Sequence, residues 1–107
     1  MVLKELIEWL ESQPADAVVR FGFSEPHSYR GYYDELAFDP AKDVTIGSML
    51  AYAKSAVNQT FGGWKGGEYT MSEYTDCWIS YYGHASGDRI GVTHLLYWEA
   101  DVKQSTS

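Results

Sequence analysis

Within the first 23 residues the hydrophobic period switches from helical to extended, and a chain that does this so early has to pack a helix against a sheet. Leu3, Leu6, Ile7 and Leu10 recur at the i, i+3, i+4, i+7 spacing of one helical face, while Lys4, Glu5, Glu8 and Glu11 fall largely elsewhere. Residues 2–12 therefore read as an amphipathic helix, limited by Pro14. Ala17-Val18-Val19-Arg20-Phe21-Gly22-Phe23 follows as a strand rich in β-branched and aromatic residues.

Turn formers dominate Ser24 to Gly31, which places a loop there, with the next strand at about Tyr32 to Phe38. Asp39-Pro40-Ala41-Lys42-Asp43 reads as a turn, because Pro40 disfavours helical geometry at Asp39 and offers no backbone donor. Thr45 can cap a second helix that sets Ile46, Met49, Leu50, Ala53 and Val57 on one side and ends near Thr60. Beyond the glycine-dense segment 62–67, Glu68 to Met71 and Cys77 to Tyr82 are candidate strands, suited to a hairpin or a bulged pair. In the last element, about Val92 to Val102, the unbroken run Leu95-Leu96-Tyr97-Trp98 does not separate buried strand from helix by period, and strand is the slight preference. The expected fold is α+β: an antiparallel sheet of about four or five strands with two helices packed on one face. It forms a single domain over residues 1–103, with residues 104–107 as a frayed tail.

The 107 residues suffice for one hydrophobic core, and 16% aromatics, including nine Tyr and four Trp, are too many for a disordered chain. No apolar run reaches the roughly 20 residues that span a bilayer, and the acid-bearing N-terminus does not resemble a signal peptide, so a cytoplasmic protein without membrane contact is expected. Eight Lys and Arg against fifteen Asp and Glu give a net charge of −7, which repels phosphates at long range and argues against duplex nucleic acid as a partner. The lone Cys77 cannot form an intramolecular disulfide and reads as a buried core residue.

No arrangement specifies catalysis. His27, His84 and His94 match neither HExxH nor a Cys/His metal spacing, and the acidic pairs Asp34/Glu35 and Asp39/Asp43 lack the alternating oxygen ligands of a calcium loop. A Gly-x-Ser-x-Gly elbow is missing from the sequence as well. The expectation is a protein with no catalytic residues, metal or cofactor.

Two segments carry the stronger chemical signal. In Gly62-Gly63-Trp64-Lys65-Gly66-Gly67-Glu68-Tyr69, the glycines let backbone N–H groups approach an anion and Lys65 adds a compensating charge. Trp64 or Tyr69 can stack on a base. The segment is neither a P-loop nor a Rossmann turn, and its bland alternative, the heavier of the two, is a flexible helix-to-strand connection with Trp64 folded onto the core. In His27-Ser28-Tyr29-Arg30-Gly31-Tyr32-Tyr33, Arg30 offers a planar fork for phosphate or carboxylate, and Tyr29 and Tyr33 offer rings and hydroxyls. The alternative for this segment is a hairpin loop with Arg30 paired to an acid such as Asp34. The candidate ligand-binding set is thus Arg30, Lys65, Tyr29, Tyr33, Trp64, Gly66, Gly67 and Tyr69.

Ser28-Tyr-Arg-Gly-Tyr-Tyr33 with Leu36-Ala-Phe38, followed by Gly63-Trp-Lys-Gly-Gly-Glu-Tyr-Thr-Met71, resembles segments of a group of small, mostly uncharacterised phage and prophage proteins. The resemblance covers most of residues 2–82 and implies residence in the cytoplasm of a bacterial host. A looser analogy, on size and loop composition, is to phage anti-defence sponges that hold cyclic nucleotide or cyclic ADP-ribose immune signals without cleaving them. It implies a non-enzymatic protein that sequesters a small anionic, nucleotide-derived ligand. Exposed aromatics on a small core add a homo-oligomer to the expectation. The chief alternative is an acidic protein-interaction module that inhibits a host or phage protein, and an enzyme acting on a nucleotide or sugar comes third.

Overall fold

The computed structural model describes residues 1–29, 34–62, 66–80 and 87–106. The helical period at the N-terminus becomes α1 (Leu3–Glu11), which buries Leu3, Leu6 and Leu10 completely. Its first N–H groups have no partner inside the helix. Leu3 N donates to the Thr75 carbonyl (2.9 Å), Lys4 N to that of Glu73 (2.7 Å), and the Glu5 carboxylate reaches back to Val2 N at 3.1 Å. The polar stretch 72–76 therefore acts as the cap of α1.

The strand β1 (Val18–Ser28) pairs antiparallel with β2 (Leu36–Thr45). Both are longer than the sequence suggests, because the segments read as loop and turn, 24–28 and 39–43, lie within them. Phe23 faces Pro40 and Pro26 faces Phe38, so Ser24 and Glu25 together stand opposite Asp39 alone. That two-against-one bulge absorbs the local irregularity. Pro40 is tolerated because β2 has a second strand beside it only at Leu36–Phe38; farther along it pairs with β1 alone, where a missing donor costs little. Asp43 takes a left-handed φ of 54°.

As expected, Thr45 caps α2 (Ile46–Ala56), its hydroxyl accepting from Ser48 N at 3.1 Å, and Ile46, Met49 and Ala53 are buried. The helix lies so close to β1 that a Cβ on Gly22 would stand 2.8 Å from the Met49 sulfur and 2.6 Å from a Val44 methyl carbon, which explains glycine inside a strand. A short ribbon follows, β3 (Thr60–Gly62) antiparallel to β4 (Glu68–Thr70), and then β5 (Cys77–Ser80) and β6 (Gly87–Arg89). The segments 68–71 and 77–82 are not a hairpin: β4 pairs with β3, while β5 lies parallel to β2 and antiparallel to β6.

The final element, for which strand was the slight preference, is a helix, α3 (Val92–Thr106), whose assigned span takes in residues 104–106. Among the described residues there are three helices, a mixed four-stranded sheet in the order β1-β2-β5-β6, and a separate two-stranded ribbon. This replaces the expected single antiparallel sheet under two helices. A parallel pair needs a crossover longer than any hairpin, and the chain between β2 and β5 supplies one through α2 and the ribbon.

The side chains of α3 account for its position. Trp98 is buried with its ring 5.8 Å from Phe23 and 5.9 Å from Trp9 of α1, while Phe23 meets Phe38 at 4.2 Å. On the same helical face, Trp98 Nε1 donates to the Phe21 carbonyl (2.9 Å), the Asp101 carboxylate accepts from Arg20 N (3.1 Å) and Arg20 Nε (3.0 Å), and Ser105 Oγ accepts from Val18 N (3.0 Å). β1 is an outer strand, and these side chains satisfy backbone groups that an open edge would present to another chain. No described helix is long and apolar enough to cross a membrane.

Candidate functional site

Where the described parts of β1 and β2 meet the 30–33 connection, the ends are tightly built. Tyr29 N donates to the Glu35 carbonyl at 2.9 Å, and the Tyr29 ring is buried in a stack on Trp78 of β5, 4.3 Å between centroids and 15° from parallel. One Glu35 carboxylate oxygen accepts from Trp78 Nε1 at 2.9 Å and stands 3.7 Å from a terminal nitrogen of Arg89. The Arg89 guanidinium lies over the same indole, 5.0 Å from its centroid. Half-exposed Arg89 is thus oriented by a carboxylate and an aromatic face together.

Tyr29, expected to offer a ligand its ring or hydroxyl, has one ring face taken up by Trp78. Trp78 and Arg89 were not singled out in the sequence. β6 is three residues long, too short for any hydrophobic period to declare it. A Cβ at Gly87 would strike the Ile79 carbonyl oxygen, so the one available cue was a glycine that reads just as well as a turn.

The glycine-rich segment links β3 to β4, and of it Gly62, Gly66 and Gly67 are among the described residues. Its root is fixed by pairing of Phe61 with Tyr69, by the 2.8 Å contact of the Thr60 and Thr70 hydroxyls, and by backbone bonds from Asn58 N to Met71 O and from Met71 N to Gln59 O. Phe61 and Tyr69 pack against the core, so Tyr69 too has a structural task. Gly66 and Gly67 have φ of +104° and +86°, a region that other residues rarely adopt. Nothing lies within 4 Å of a Cβ built on Gly66, so the glycine there serves the path of the backbone, not a close packing contact. β3 also contacts β1 directly, which brings the root of this ribbon against the strand that leads to the other loop. Arg30, Tyr33, Trp64 and Lys65, the remaining members of the candidate set, lie outside the described residues.

His27, Asp39 and Ser80 meet near the bulge in a cluster that superficially resembles a hydrolytic triad. His27 Nε2 is 3.1 Å from the Asp39 carboxylate and 3.4 Å from Ser80 Oγ, and its Nδ1 is 3.0 Å from the Ser28 carbonyl. A relay needs the acid on one ring nitrogen and the nucleophile on the other. Here both approach the same nitrogen, while Ser80 Oγ also lies 3.3 Å from the Phe38 carbonyl, so the cluster pins the bulge to β5. Cys77 is fully buried, and burial pushes its thiol up to about 12, an effect the N-terminal ammonium opposes and Asp76 reinforces. It stays protonated and inert at neutral pH. No three metal-capable side chains converge among the described residues.

Comparison with known protein families, curated proteins and solved structures found no match.

Proposed function

We propose that the protein binds a small anionic, nucleotide-derived ligand without transforming it, at the end of the sheet where residues 30–33 connect β1 to β2. The observation that carries this reading is the Tyr29–Trp78–Arg89 stack tied together by Glu35. It supports the reading because an oriented guanidinium lies close to the ends of the connection whose sequence contains Arg30 and two further tyrosines, in a chain otherwise poor in cations. The two left-handed glycines before β4, in this reading, add backbone N–H groups suited to an anion. In this reading Arg30, Lys65 and Arg89 neutralise phosphate, and Tyr33 and Trp64 stack on a base. A phage-borne sponge for cyclic nucleotide or cyclic ADP-ribose signals is the biological role that fits such chemistry.

The test is a thermal-shift and calorimetric titration against cyclic dinucleotides, cyclic ADP-ribose isomers and ordinary nucleotides, with chromatography of the recovered ligand. A true ligand at a hundredfold excess over its Kd stabilises the fold by about 2.7 kcal/mol and is recovered unchanged. Arg30→Ala, Lys65→Ala and Arg89→Ala each weaken binding about tenfold or more, the loss of a charge-assisted bond. No shift across the panel, or affinity untouched by all three substitutions, refutes the proposal. A ligand recovered in altered form makes the protein an enzyme.

A second reading, an acidic protein-interaction module covering a basic partner, draws on a separate feature, the net charge of −7. It predicts partner capture that weakens steeply with salt.

A further inference from the structure

Between β1 and α3 runs a groove of about 290 Å³, lined by Arg20, Phe21, His94, Tyr97, Trp98 and Asp101. His94, Tyr97, Trp98 and Asp101 fall at the i, i+3, i+4, i+7 spacing of one helical face, so α3 supplies one side of the groove and β1 the other. The floor belongs to the fold, since Trp98 and Asp101 are the buried groups that hold α3 on β1. The walls stand out in solvent: Phe21 is 67% exposed and Tyr97 71%. Such a volume suits one ring with a short side chain, at the small end of the roughly 300–1,000 Å³ of ligand pockets.

Charge selects the occupant. Aromatic walls by themselves suit a cation as well as a neutral ring, but the charge turned outward here is positive. Asp101 is 8% exposed and both its oxygens are taken, one by Arg20 N (3.1 Å) and the other by Arg20 Nε (3.0 Å). Those bonds fix the Arg20 guanidinium, whose side chain is 66% exposed, and among the described residues its two terminal nitrogens have no partner. Lys42 adds a second positive charge beside the same wall, its Nζ 5.9 Å from the centre of the Phe21 ring. His94 contributes a neutral ring, since burial holds it below the ordinary histidine value and its Nδ1 accepts from Gly91 N at 3.2 Å. A carboxylate can accept from both terminal nitrogens of an arginine at once. Because Asp101 already offsets Arg20 and the chain carries −7 overall, the groove suits one negative charge and repels several.

We infer that this groove binds a small aromatic monocarboxylate, with its ring between Phe21 and Tyr97 over Trp98 and its carboxylate on the terminal nitrogens of Arg20. The site is separate from the one at residues 30–33 and independent of the nucleotide reading. Phenylacetate is the probe, titrated into the whole chain by calorimetry and by nuclear magnetic resonance. It binds saturably with a Kd below about 1 mM and moves the indole N–H signal of Trp98. Phenylacetamide, which lacks the charge, and hexanoate, which lacks the ring, each bind about tenfold more weakly. Arg20→Gln and Tyr97→Ala, both at exposed positions, weaken phenylacetate about tenfold with an unchanged far-ultraviolet spectrum, while Arg89→Ala leaves its affinity as it was. Failure to saturate by about 10 mM overturns the inference, and so does amide or hexanoate binding within about threefold of phenylacetate. An affinity that moves less than about threefold in both groove variants, or that is lost in Arg89→Ala, overturns it as well.

Discussion

Helices α1 and α3 both lie against the core, but they are held by different physics. α1 buries three leucines and points its acids outward, so beyond the backbone bonds that cap its first turn its side chains attach it mainly by removal of carbon from water. α3 buries a tryptophan, an aspartate and a valine, and three of its side chains bond backbone groups of β1. The first kind of attachment needs only a periodic apolar stripe. The second needs a particular strand edge at a particular height, and it leaves the helix with apolar residues on its outer side as well.

The contrast predicts unequal costs for disturbing the two helices. Leu6→Ala should destabilise the protein most, by about 2–5 kcal/mol in chemical denaturation, because it removes a fully buried side chain from a site without polar compensation. Asp101→Ala should cost about 1–3 kcal/mol, since Arg20 N loses its acceptor while the exposed guanidinium keeps water. If Asp101→Ala proves as costly as Leu6→Ala, or free of cost, the distinction between the two modes of attachment collapses. Proteolysis should discriminate further: loosening of the C-terminal helix precedes global unfolding in the Asp101 variant and not in the Leu6 variant.

The smallest effect is a pH dependence confined to the start of α3. His94 is held below the ordinary histidine value by burial, opposed by the charge of Asp88, and its Nδ1 accepts from Gly91 N at 3.2 Å. The folded state thus favours the neutral ring. As pH falls through about 6.5, the unfolded chain takes up this proton first. The stabilisation from a neutral His94 is therefore complete above that value and is lost as pH drops through the lower, folded one. His94→Gln, which keeps an acceptor but cannot titrate there, should flatten the stability curve over this interval, and a curve of unchanged slope assigns the dependence to other groups.

Legibility in the sequence followed the same division. α1 and α2 were readable because each has its own apolar spacing, and α2 its own Thr45 cap. Residues 24–28 and 39–43 looked like loop and turn because Pro26 and Pro40 argue locally against a strand, and only the bulge opposite Asp39 reconciles them with one. Of the candidate site, Gly66 and Gly67 adopt positive φ, Tyr29 stacks on Trp78 and Tyr69 packs against the core. Arg89 and Trp78 were invisible, since their importance lies in meeting Glu35 across two strand pairings.

Residue types and spacing by themselves determined that this chain folds, where its first two helices lie, and that Cys77 is a core residue. They did so because burial at a regular interval is a property of neighbouring residues. The parallel pairing of β2 with β5, the helical state of residues 92–106 and the closure of the β1 edge by Trp98, Asp101 and Ser105 were decided by tertiary structure alone. In each case the deciding partner lies tens of residues away, and an apolar run such as Leu95 to Trp98 satisfies a strand or a helix until that partner is in place.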